Sequence, residues 1–101
     1  MLYRTEFPDY DKTLIIPKGF EDGSYHNDIC PRVIKTIIVN KDEVVYNIWQ
    51  DYKDKEKREY GEYENSTEFL FDIQVNGNVV FYYRTDDWTE IEKLIQNANV
   101  C

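Results

Sequence analysis

Alternating hydrophobic and polar positions mark a β-hairpin in the second half of the chain. Apolar residues occupy every second position from Phe69 to Val75, with Asp72 and Gln74 between them, which is the period of a half-buried strand. Asn76-Gly77 follows and accepts the positive φ angles that a type I′ turn requires. The apolar run after this pair completes the hairpin.

An earlier segment, residues 32–52, is rich in β-branched and aromatic residues, and the polar pair Lys41-Asp42 interrupts it. This composition favours strands, and the polar pair predicts a turn and therefore another hairpin. Each turn fixes which side chains face each other across the hairpin. The predicted facing pairs are Val39 with Val44, Ile37 with Tyr46, Ile34 with Trp49, Ile73 with Val80, and Phe71 with Tyr82.

Apolar residues at spacings of three and four predict an amphipathic helix at the C-terminal end. Asp86 or Asp87 can cap its first turn, and Glu90, three residues after Asp87, completes a capping box. Two hairpins followed by this helix predict an α+β domain, with an antiparallel sheet of about four to five strands and the helix packed on one face. The apolar helix positions are Trp88, Ile91, Leu94, Ile95 and Ala98.

The first third of the chain is divided by Pro8, Pro17 and Pro31. Proline lacks an N–H donor and restrains the residue before it, so these pieces are predicted to be too short for helices. The apolar stretch 13–16 is the strand predicted here, and residues 17–31 are predicted to form a loop between two prolines.

Composition and charge restrict the kind of partner. The 101 residues are 42% hydrophobic and 16% aromatic, which predicts one globular domain over residues 1–101. Twenty acids against twelve bases give a formal charge of −8, so we expect no direct binding to nucleic acid and favour a basic protein as partner. The sequence has no signal-peptide pattern and no apolar run of about eighteen residues, which predicts a cytoplasmic protein without membrane association.

The loop "GFEDGSYHNDICP" holds the one histidine of the chain and one of its two cysteines. His26, Asp28 and Cys30 would share one face of an extended segment. A structural zinc site needs four ligands, and nearby acids disfavour a reactive thiolate, so a metal- or thiol-dependent site is the weaker interpretation. We predict neither a cofactor nor catalytic residues, because no known catalytic motif or phosphate-binding glycine loop is present.

Turn-forming residues favour a loop that bonds to itself and inserts Phe20, Tyr25 and Ile29 into the sheet. The loop can also present side chains to a partner protein. The candidate partner-binding residues in it are Tyr25, His26 and Asp28.

Acids and tyrosines alternate between the two hairpins, where eight acids lie against four bases from Asp51 to Asp72. Carboxylates can replace phosphates in a basic groove, and tyrosine rings supply buried anchors at interfaces. An ordinary solvated connector is the competing interpretation. The candidate partner-binding residues here are Asp54, Glu56, Glu59, Tyr60, Glu62, Tyr63 and Glu64.

Small acidic domains without a catalytic motif have the physical profile of phage anti-defence proteins such as anti-CRISPRs, and of immunity proteins that neutralise nuclease toxins. We therefore predict an inhibitor that occludes the nucleic-acid-binding site of a basic nuclease or CRISPR effector, in the host cytoplasm if the protein is phage-encoded. Two alternatives stay open. One is a small enzyme centred on His26 and Cys30, and the other is a structural or assembly subunit whose exposed strand edge pairs with a neighbour.

Overall fold

The computed structural model describes residues 2–58 and 66–98 and confirms the α+β arrangement. Five strands form one antiparallel sheet in the order β1-β2-β3-β4-β5, so β1 and β5 are its edges. None of the helices in the described part of the chain is long and apolar enough to cross a membrane. The elements are α1 (Leu2–Glu6), β1 (Glu21–Asp22), β2 (Arg32–Val39), β3 (Asp42–Gln50), a 3₁₀ turn (Lys55–Lys57), β4 (Phe69–Val75), β5 (Asn78–Thr85) and α2 (Trp88–Ala98).

The β2–β3 hairpin exists, but its predicted turn is wrong by one residue. Asn40 and Lys41 adopt φ angles of 51° and 75°, so they are the two central residues of the turn, and Val39 pairs with Asp42. Asparagine tolerates this left-handed conformation better than most residues, because its short side chain can bond to the local backbone. All three facing pairs predicted for this hairpin are therefore wrong.

The β4–β5 turn is confirmed, whereas its pairing further along is wrong. Asn76 and Gly77 have φ angles of 50° and 85°, as a type I′ turn requires. A register shift next to Ile73 then places Phe81 opposite it, where Val80 was predicted. The cause is a β-bulge, in which one strand carries an extra residue, and nothing in the alternation of β4 signals it.

One face of the sheet carries the hydrophobic core. The N-terminal segment and α2 both pack on this face, against alternate residues of β2, β3 and β4. Alternation on each strand therefore defines a core face and an outer face of the sheet. The buried core residues are Tyr3, Phe7, Tyr10, Leu14, Val33, Tyr46, Ile48, Tyr52, Phe69, Phe71 and Ile91.

Three expectations for the first third are wrong. The predicted loop 17–31 contains the strand β1, which is held by its pairing with Val33 and Ile34 of β2. The helix α1 forms there because its five residues end before Pro8, so no proline interrupts its hydrogen bonds. The segment 13–16 is not a strand of the sheet. Instead, the side-chain amide of Gln50 binds the backbone of Ile15, accepting from its N–H at 2.8 Å and donating to its carbonyl at 2.7 Å.

The C-terminal helix α2 begins as predicted at an aspartate cap. The Asp87 carboxylate accepts a hydrogen bond from the Thr89 N–H at 2.9 Å. Glu90 does not complete the predicted capping box, because the Asp87 N–H donates to the Thr85 hydroxyl. The Glu90 carboxylate accepts instead from the hydroxyls of Thr85 and Tyr83, which ties the helix to the end of β5.

Candidate protein-binding surface

The edge strand β5 exposes five consecutive large apolar side chains. Within the described residues its outer edge pairs with no other strand. Monomeric proteins usually protect such an edge with charges, prolines or a covering segment, yet β5 contains no proline and only one charged residue, Arg84. The exposed fractions are 56% for Val79, 62% for Val80, 40% for Phe81, 64% for Tyr82 and 38% for Tyr83.

These side chains extend the apolar surface onto both faces of the sheet. Phe81 lies on the core face, where its ring meets that of Phe71 edge-on at 6.2 Å. Tyr82 pairs with Asp72 and therefore lies on the outer face. An added strand would find apolar contacts on either side of its backbone, as strand-addition interfaces require.

A buried polar network lies on the outer face beside β5. The Asp72 carboxylate, only 6% exposed, accepts hydrogen bonds from the Asn47 amide and the Trp49 indole N–H, each at 2.9 Å. Arg32 donates to the Asn47 carbonyl oxygen at 2.9 Å, and its guanidinium lies 5.0 Å from the centre of the Trp49 ring. The network thus fixes the orientation of a tryptophan, a residue type common at interface hot spots.

The outer face is concave next to this network. One cavity of about 370 Å³ lies between Trp49 and Leu70 on the sheet and the loop residue Ile29. A second cavity, of about 340 Å³, is lined by Leu70 and by the β5 residues Val79 and Tyr82. Because Leu70, Asp72 and Arg84 border both cavities, they form one depression that reaches β5.

The structure places the predicted loop residues on the surface at one end of the sheet. His26 has a side chain that is 59% exposed and lies 3.2 Å from the Glu6 carboxylate, and its ring packs at 4.6 Å against that of Tyr25. Asp28 is half-buried and borders the outer-face cavity. Tyr25 and Ile29 are exposed, so the prediction that they insert into the sheet is wrong.

The loop nevertheless bonds to itself, as predicted. The Asp28 N–H donates to the Tyr25 carbonyl at 2.9 Å, and the Ser24 N–H donates to the Asp22 carboxylate at 3.0 Å. Phe20 packs against the core, while Cys30 is buried at the end of the loop.

Cys30 is poorly placed for nucleophilic chemistry. It is 2% exposed, and burial, reinforced by the nearby Asp51 carboxylate, raises the pKa of its thiol well above the usual range. A reactive cysteine needs the opposite environment, with a lowered pKa and access to solvent. Residues 2–58 and 66–98 also contain no group of three or more histidine, cysteine or acidic side chains arranged to hold a metal ion.

The predicted acidic surface is only partly described. Asp54 and Glu56 are exposed at the 3₁₀ turn, and the Asp54 carboxylate accepts from the Glu56 N–H at 3.0 Å. A cavity of about 400 Å³ brings this turn, through Lys57, next to His26 and Asp28. Five predicted partner-binding residues lie outside the described residues: Glu59, Tyr60, Glu62, Tyr63 and Glu64.

Comparison with family models, with curated proteins and with solved structures finds no match for this chain. The candidate site therefore depends on geometry alone. Sequence reasoning predicted β5 as a strand but missed it as a binding surface. The available signal was the run of apolar residues from Val79 to Tyr83, which has no polar alternation and would suit a strand buried on both faces.

Proposed function

We propose that this chain is a protein-binding domain that extends its sheet by pairing β5 with an extended segment of a basic partner protein. The observation that carries this proposal is the apolar edge, which no strand of residues 2–58 or 66–98 pairs with and which has five exposed side chains in a row. Contiguous exposed apolar surface is uncommon on monomeric proteins and marks interaction sites. Backbone hydrogen bonds along the edge would supply affinity, and the depression on the outer face would select side chains.

Charge favours a basic partner over a second copy of the chain. The formal charge is −8, so two copies repel each other at long range, whereas a basic protein is attracted. Acids also lie at both ends of β5. The Glu43 carbonyl accepts from the Asn76 N–H, and the Glu43 N–H donates to the Asn76 side-chain oxygen, so Glu43 lies beside the turn before β5. Asp86 and Asp87 follow the strand directly.

The partner class that best fits an acidic binder is a nucleic-acid-binding protein. Such proteins present a positively charged surface to phosphates, and carboxylates such as Asp54 and Glu56 can occupy the same surface. The proposed consequence is competition, in which the chain and the nucleic acid exclude each other from the partner. The chain would then act as a stoichiometric inhibitor.

Binding can be tested by retention of basic proteins from cell extract on the immobilised chain, with elution by rising salt. The test variant is Val80→Lys/Tyr82→Lys, which changes two side chains that are more than 60% exposed, so the fold should tolerate it. The matched control is Ile38→Lys, which changes a 67% exposed aliphatic residue on β2. We expect the test variant to retain at least tenfold less of the basic protein than the wild type does. The control should retain as much as the wild type.

Retention of the same proteins by the β5 variant would refute the proposal. A partner recovered only with an intact β5 edge is then mixed with a labelled oligonucleotide. Displacement of the oligonucleotide at one equivalent of chain supports the inhibitor mechanism. Simultaneous binding of both refutes that mechanism while leaving the protein-binding function supported.

A further inference from the structure

A cavity of about 650 Å³ opens on the core face of the sheet, between α2 and residues 15–19. This volume falls within the range of small-molecule sites. Trp88 and Ile95 of α2 form one wall, and Ile15 and Pro17 form the other. The cavity lies on the opposite face of the sheet from the depression beside Trp49, so it is independent of the proposed β5 interface.

The walls of this cavity are held in place by specific bonds. The Gln50 side chain, which is fully buried, binds both backbone groups of Ile15. The next residues form a tight turn in which the Phe20 N–H donates to the Pro17 carbonyl at 3.0 Å. Gly19 has a φ angle of 87° in this turn, a conformation that favours glycine. The site is therefore largely formed before any ligand arrives.

The cavity has a local excess of positive charge in an acidic protein. Among the described residues, Lys18 and Lys35 line it against one acid, Glu92. Lys35 is unusual because its position on β2 belongs to the core face, where its cross-strand neighbour Tyr46 is buried. Its side chain passes close to the turn, since a Cβ atom added at Gly19 would lie 3.5 Å from the Lys35 Nζ.

We propose that this cavity binds a small amphipathic carboxylate. Its apolar body would lie between Trp88 and Ile95 on one side and Ile15 on the other. Its carboxylate would accept hydrogen bonds from the ammonium of Lys35, with Lys18 adding a second positive charge. Charge-assisted bonds of this kind are the stronger class of hydrogen bond.

Nuclear magnetic resonance can test this inference through the indole N–H signals of Trp88 and Trp49 in the ¹⁵N-labelled chain. The probes are decanoate and decanol, which share an apolar chain and differ in charge. We expect decanoate to shift the Trp88 signal saturably, with an affinity about tenfold higher than that of decanol. The Trp49 signal should stay unchanged, because Trp49 lies on the other face.

The variant Lys35→Gln should reduce decanoate affinity about tenfold and leave decanol affinity unaltered. Lys41→Gln, which removes the same charge at the distant β2–β3 turn, is the matched control and should bind as the wild type does. If Lys35→Gln fails to fold, Lys18→Gln on the exposed turn provides a second test. It should also reduce the affinity for decanoate, but by a smaller factor. Equal affinities for decanoate and decanol, equal shifts at both indoles, or unchanged binding by the lysine variants would each overturn the proposal.

Discussion

Replacing Asp72 with leucine tests whether the outer-face network supports the fold and orients Trp49. Asp72 accepts two hydrogen bonds, from the amide of Asn47 and from the indole of Trp49. The Asn47 side chain has no exposed surface, so it cannot turn to water when its acceptor is lost. The positive charge of Arg32, bonded to the far end of the same amide, also loses its nearest counter-charge in the network.

The magnitude follows from these two orphaned donors. A buried donor without an acceptor costs about 1–3 kcal/mol, which gives roughly 2–6 kcal/mol for the pair. The leucine side chain buries apolar surface at the same place, which offsets part of this destabilisation. We therefore expect a net decrease of about 2–3 kcal/mol in the free energy of unfolding. Asp72→Asn keeps one acceptor oxygen but places an amide N–H group against the other donor. Its free energy of unfolding should therefore decrease by about half as much as that of Asp72→Leu.

Urea unfolding followed by circular dichroism measures these differences. The double variant Asp72→Leu/Trp49→Phe removes one orphaned donor, so its loss should be about 1 kcal/mol smaller than the sum of the two single losses. A decrease below about 0.5 kcal/mol for Asp72→Leu would match an ordinary surface substitution. That result, or equal losses for the leucine and asparagine variants, would refute the role given to the network.

Four further predictions concern buried or strained positions. Burial raises the pKa of the Asp51 carboxyl, so its stabilising contribution is full below an unfolded pKa near 3.9 and is lost as pH rises through the higher folded pKa. Asp51→Asn should remove this decline, which urea unfolding at a series of pH values above about 4 measures. In a Cys101→Ser background, Cys30 should react with iodoacetamide on the order of a hundredfold more slowly in the folded chain than in urea, and comparable rates would contradict its burial. Gly77→Ala should cost about 1 kcal/mol through its φ angle alone, because a Cβ there meets nothing within 4 Å. Lys41→Gly should instead raise the free energy of unfolding by about 0.5–1 kcal/mol, because glycine adopts a positive φ angle without strain. A decrease would show that the lysine side chain stabilises the turn by more than its positive φ angle destabilises it.

The hairpins and the final helix were predictable because their signals are local. The pair Asn76-Gly77 is typical of the type I′ turn that it forms. Asp87, which lies three residues before Glu90, caps the helix. The first turn was misplaced because polarity alone was used to locate it. Asn40-Lys41 and Lys41-Asp42 are equally polar pairs, and each contains one residue that tolerates positive φ, so local chemistry does not distinguish them.

The burial of outer-face residues was not predictable from alternation. The strand period correctly assigned Asp72 to the face opposite the core, but the same period predicts exposure to solvent. Its burial depends on Trp49 and Asn47 from the neighbouring strand, and therefore on a register that the sequence does not fix. Lys35 differs in this respect, because it faces the core with either turn: its partner is Tyr46 in the structure and would be Ile48 with the predicted turn.

Hydrophobic patterns in the sequence also did not predict that β5 is an exposed edge strand. This exposure results from the short connection that follows the strand. Only two residues separate the end of β5 from the start of α2. So short a link keeps the helix on the core face, where Trp88 packs on Phe69 with ring centroids 5.2 Å apart, and prevents it from folding over the free edge. The bond between Tyr83 and Glu90 holds the helix there. A helix that covered this edge would need a longer connection, so among the described residues the uncovered apolar edge follows from the topology. The proposed partner strand would satisfy both its backbone groups and its side chains.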